Sequence, residues 1–160
     1  MRSRGRILFA VSAVAVLFAA LVVGRAAAGG GAPTTSATLT GGAEVPGPGD
    51  SNGSGSASIT LDSAAGKVCF ELDWSRIRGP WGAHIHRGGS DDAGPIVVSL
   101  FQSRDLTPLP RSIKGVTGCV RGVDAELINR IATNPSRYYV NVHTKDFPGG
   151  AIRGQLQSAV

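Results

Sequence analysis

Two stretches of this chain alternate residue by residue, and between them they contain all three of its histidines. In Gly82-Ala83-His84-Ile85-His86-Arg87-Gly88-Gly89, Ala83 and Ile85 fall on one face of an extended strand, and His84 and His86 on the other. In Tyr138-Tyr139-Val140-Asn141-Val142-His143-Thr144, Val140 and Val142 share a face opposite Tyr139, Asn141 and His143. A period of two is incompatible with a helix, so both stretches must be strands with one apolar face. If the strands are neighbours, the three imidazoles gather on one polar, outward sheet face. That parity is the strongest constraint the sequence places on both fold and chemistry.

Short alternating runs punctuated by glycine and proline fill most of the rest. Ser36–Thr40 reads as a strand, followed by a polar loop from Ala43 to Ser54. Ala57–Asp62 and Lys67–Trp74 form a hairpin about the turn at Ser63–Gly66. Pro95–Phe101 is a near-continuous apolar run and is expected to be a buried strand, and Ser112–Arg121 reads as a strand. The period then changes: Leu127, Ile128 and Ile131 have helical spacing, Asp124 can cap the N-terminus and Asn134-Pro135 stops the segment. One short helix is therefore predicted near 124–133. Lys145–Gly150 is a tight turn into a closing strand, Ala151–Leu156, paired with the histidine strand before it. About eight short strands and one helix predict an all-β fold, an antiparallel β-sandwich or closed barrel.

The N-terminus belongs to a different category. Arg2, Arg4 and Arg6 precede an uncharged apolar run from Ile7 to Val23 and then Ala26-Ala27-Ala28. This is the layout of a secretory signal peptide over residues 1–28. The alternative is an uncleaved anchor, for which the run is at the short edge of the spanning range. Residues 29–35 are expected to be a flexible lead-in. The first 28 residues hold four of the sixteen basic residues and no acid, which leaves twelve basic against eleven acidic. The high pI therefore comes from the targeting segment, and nucleic acid is excluded as a partner.

Export permits a disulfide, and Cys69 and Cys119 are the only cysteines. Val68, Phe70 and Leu72 leave Cys69 on the opposite face with Lys67 and Glu71; Val116 and Val120 leave Cys119 with Thr117 and Arg121. Both sulfurs then project from the same type of outer face, as a bridge between strands of one sheet requires. Two reduced thiols binding metal with the histidines is the weaker reading, because neither cysteine has the close spacing of a zinc pair.

Glu44-Val45-Pro46, Ala83-His84-Ile85-His86, Gly118-Cys119, Tyr139–Thr144 and Pro148-Gly149-Gly150-Ala151-Ile152-Arg153-Gly154-Gln155-Leu156 together resemble the CHRD family, over about residues 36–157. These domains were first named from chordin and also occur as single-copy exported bacterial proteins. The resemblance implies an extracellular all-β domain with no established chemistry. Two positions depart from the family pattern: Phe147 stands where Asn is usual before Pro148, and Ala151 where Glu is usual before Ile152. If that glutamate pairs with Arg153 or steers a histidine, its role is absent here or falls to Glu44.

For function, the expectation is a non-catalytic binding or structural module, secreted or on the cell surface, with an unidentified extracellular ligand or protein as partner. No serine nucleophile is marked by its surroundings, and no glycine-rich phosphate loop precedes a helix. A membrane-tethered version would differ only in location. The alternative is a metal-binding protein. His-x-His on a strand sets two imidazoles ~6–7 Å apart on one face, which suits copper or zinc when a third arrives from a neighbouring strand. The pattern is similar to the His-x-His of copper–zinc superoxide dismutases, but three histidines cannot build that bimetallic site. The candidate cluster is thus His84, His86 and His143 with Glu44 as the carboxylate neighbour. The competing reading is a metal-free network in which the imidazoles bond to Glu44, Asp91 or Asp92, and the absence of a surplus ligand favours it. Gly149 and Gly150 are both expected at turn positions with positive φ.

Overall fold

The computed structural model describes residues 31–159. The expected signal segment, residues 1–28, lies outside them. Nine strands run in the order β1 (Thr34–Thr40), β2 (Ser54–Asp62), β3 (Lys67–Ser75), β4 (Pro80–Arg87), β5 (Ile96–Gln102), β6 (Gly115–Arg121), β7 (Tyr138–Thr144), β8 (Ile152–Gln155) and β9 (Gln157–Ser158). Among the described residues a single α-helix, α1 (Ala125–Thr133), precedes β7. All pairings are antiparallel, in the spatial order β5-β4-β7-β8-β1-β2-β3-β6, with the short β9 beside β1. The end strands β5 and β6 approach each other, so the sheet curls into a nearly closed barrel.

The inward parity of every strand is apolar. Leu39, Ile59, Leu61, Val68, Leu72, Ile85, Val140, Val142 and Ile152 fill the interior and are almost wholly sequestered from solvent. At about 25 cal/mol per Å² of apolar area removed from water, this shared interior is the main stabilising force. Gly154 lets β8 close against β1: a Cβ there would collide with the Thr38 carbonyl. α1 begins where Asp124 accepts a hydrogen bond from the Leu127 amide at 2.8 Å, and it buries Ile128 and Ile131. Cys69 and Cys119 lie directly opposite each other on β3 and β6 and are joined by a disulfide.

Three expectations need correction. β1 starts at Thr34, so the last two residues of the expected lead-in are strand. β5 is not a buried strand: Val98 and Leu100 face inward, but Ile96 is 53% exposed. The reason is its place at the end of the sheet, together with two register shifts against β4, between Ala83 and His84 and between Ile85 and His86. Finally, the outward face of β4 and β7 is not solvated. Every residue of β7 is buried, and on β4 so are all from Gly82 to His86.

Candidate functional site

That covered outer face is where the polar side chains converge. The ladder register pairs His84 with Asn141 and His86 with Tyr139 across β4 and β7, and Asn141 with Arg153 and Tyr139 with Gln155 across β7 and β8. Directly paired antiparallel residues share a face, so His84, Asn141 and Arg153 form one row and His86, Tyr139 and Gln155 the next. His143 completes the patch opposite Gly82. The loop from Gly88 to Pro95 is held over these rows by side chains beneath it. Arg153 donates from Nη1 to the Asp92 carbonyl at 2.9 Å and from Nη2 to that of Gly89 at 2.6 Å. Gln155 Nε2 donates to the Gly88 carbonyl at 2.8 Å, and the Gly94 amide donates to the Tyr139 hydroxyl at 3.1 Å.

The hydrogen bonds assign the imidazole protons. A carbonyl only accepts, so His86 carries its proton on Nδ1, which donates to the Gly94 carbonyl at 2.8 Å. His143 does the same toward the Pro148 carbonyl at 2.9 Å. Both Nε2 atoms are therefore lone-pair acceptors. That of His143 faces His84 Nδ1 at 3.0 Å, and that of His86 is buried with no hydrogen-bond partner. Asn141 Oδ1 is also buried and unpartnered. Its side chain lies near enough to raise the His86 pKa slightly, although the two do not meet in hydrogen-bond geometry. One ring nitrogen from each of the three histidines lies within 4.8 Å of the other two.

Aromatic rings wall the cluster. Trp81 stacks on His143 at 5.0 Å and Tyr139 on His86 at 4.8 Å, and the Arg153 guanidinium sits 3.4 Å over the Tyr139 ring. Burial and these neighbours keep the imidazoles neutral. His143 is pushed down to about 4, first by desolvation and then by His84. His84 is lowered by burial, opposed by the nearby Gln102 side chain, and His86 by burial, with Arg153 adding to the effect.

The three expected histidines are brought together; Glu44 is not part of their group. Its carboxyl lies instead against Gly150 in the β7–β8 turn, where a Cβ would collide with it. It is buried there with Oε1 unpartnered, and desolvation lifts its pKa to about 7, opposed by the charge of Arg153. Nor do Asp91 and Asp92 serve the imidazoles: Asp92 accepts from the Gly89 amide at 2.9 Å, and Asp91 is exposed. Backbone carbonyls take the place expected of carboxylates. Arg153 likewise reaches carbonyls and has no ion pair with Glu44. Of the turn residues Pro148, Gly149 and Gly150, only Gly150 has positive φ, at 141°. Trp81 escaped the parity argument because a register shift between Pro80 and Gly82 takes it out of alternation.

Fold and site together define a disulfide-bridged, nearly closed antiparallel barrel with a covered patch of three histidines. The family model for the CHRD domain matches residues 35–156, and the chain belongs to that family. No curated protein and no solved structure matches it.

Proposed function

We propose that this is an exported, non-catalytic binding domain that holds one copper or zinc ion through His84, His86 and His143. The observation that carries the reading is the set of far-side hydrogen bonds. Nδ1–H of His86 and of His143 are each fixed on a backbone carbonyl, which leaves both Nε2 lone pairs free: that of His143 faces His84, and that of His86 is buried without a partner. Histidine ligands in metalloproteins are oriented in this way. Two bonds of ~2.0 Å at a tetrahedral or trigonal angle set donor atoms ~3.4 Å apart. The spacing here, from 3.0 Å to at most 4.8 Å, brackets that value. His84 would bind through Nδ1 after moving its proton to Nε2.

Binding rather than catalysis is supported by burial: loops and rings cover the histidines, and a metal there would be shielded from substrates. Export is supported by the disulfide, by the family, whose members occur in extracellular proteins, and by the pattern of residues 1–28. The competing reading, a metal-free stiffening network, has the bond between His84 and His143 in its favour. Elemental analysis of untagged protein decides between them. Near one equivalent of copper or zinc, lost in His84→Ala, is expected. Metal-free protein that also refuses both ions in titration would establish the network.

A further inference from the structure

We infer that the three-histidine site holds copper as the monovalent ion in preference to zinc or copper as divalent ions; the inference rests on the metal-binding reading above. Every donor in reach is neutral: three imidazoles, and the unpartnered Oδ1 of Asn141 beside them. Among the described residues no carboxylate joins the group to compensate a divalent charge. A fixed positive charge lies close by. Arg153 is 1% exposed, lies on the same sheet face and shares a row with His84 and Asn141. Its guanidinium covers the Tyr139 ring at 3.4 Å, and that ring stacks on His86 at 4.8 Å. Glu44 cannot offset this charge fully, because burial keeps its carboxyl largely protonated up to about pH 7.

Electrostatics then favours the ion with less charge. Across the stacked Tyr139 and His86 rings, and at an effective dielectric near 20, repulsion from Arg153 costs on the order of tenfold in affinity for each unit of ion charge. A divalent ion bears that cost twice. Three nitrogen donors in a pocket walled by Trp81 and Tyr139 also suit a three-coordinate ion.

The experiment is anaerobic titration of untagged metal-free protein with copper(I) against bicinchoninate, and with zinc(II) and copper(II) against chelators of known affinity. One equivalent of copper(I), bound at least a hundredfold more tightly than zinc(II), is expected. Arg153→Gln should shrink that ratio about tenfold, whereas Arg153→Lys, which keeps the charge, should preserve most of it. Zinc(II) or copper(II) bound as tightly as copper(I) would overturn the inference and leave the metal-binding reading intact. Failure to bind any of the three ions would overturn both. If Arg153→Gln does not fold, the wild-type ratio alone decides.

Discussion

Replacing Glu44 with glutamine should stabilise the metal-free protein at alkaline pH and make it more sensitive to acid. Glu44 is buried with an unpartnered Oε1, and its pKa is raised from 4.5 to about 7. Between those values the folded protein holds a proton that the unfolded chain has released. Stability therefore falls as pH rises, by about 1.4 kcal/mol per pH unit, and the full penalty above pH 7 is about 3 kcal/mol. His143 works in the opposite sense. Its pKa falls from 6.5 to about 4, so the unfolded chain binds the extra proton and stability rises with pH across that window, again by about 3 kcal/mol. In the wild type these two slopes oppose each other between about pH 4.5 and 6.5. Glutamine keeps the shape of Glu44 and removes only the titration. Glu44→Gln should therefore match the wild type near pH 4.5 and exceed it by about 2–3 kcal/mol at pH 8, while its own curve climbs steeply between pH 4 and 6.5. Urea unfolding followed by tryptophan fluorescence, with chelator present, measures this directly. With a urea m-value of about 1.5 kcal/mol/M, the midpoint should move by roughly 1.5–2 M at pH 8. An unchanged midpoint at pH 8 would refute the burial argument for Glu44. A flat Glu44→Gln curve between pH 4 and 6.5 would refute the one for His143.

Three further outcomes are expected. Gly150→Ala should cost about 2 kcal/mol or more, because φ is 141° and the new methyl would meet the Glu44 carboxyl, whereas Gly149→Ala should be near neutral, with nothing within 4 Å of a Cβ there; paired thermal melts test the contrast. Removing the bridge in a Cys69→Ala, Cys119→Ala double variant should cost up to ~4 kcal/mol by loop-closure entropy across 50 positions, read from denaturant midpoints. His84→Ala should abolish stoichiometric uptake of copper and zinc while the far-ultraviolet circular dichroism stays that of an antiparallel barrel; retained uptake would remove His84 from the site.

How much of this was legible beforehand follows from what a period of two can encode. Alternation assigns each side chain to a face, and pairing in an antiparallel ladder preserves faces, so His84, His86 and His143 could be grouped once β4 and β7 were taken as neighbours. The same logic placed Cys69 and Cys119 on one face, and capping chemistry located α1 at Asp124. Parity does not say what lies above a face. The loop over the histidines is glycine-rich and has no periodic signal. It is placed by Arg153 and Gln155 through carbonyls, groups that every residue carries and no sequence displays. For that reason a face read as outward proved buried, and Glu44, reached by turn geometry rather than by register, landed on Gly150 instead of on a histidine. Where the ladder slips, parity itself fails: register shifts displace Trp81 onto His143 and break up the expected burial of β5. Those slips flank His84 and His86 on the strand that carries both. On the other side β4 pairs with β7 in unbroken register from Gly82 to Arg87, so the ladder keeps the histidines on one face and the loop above it takes them out of water.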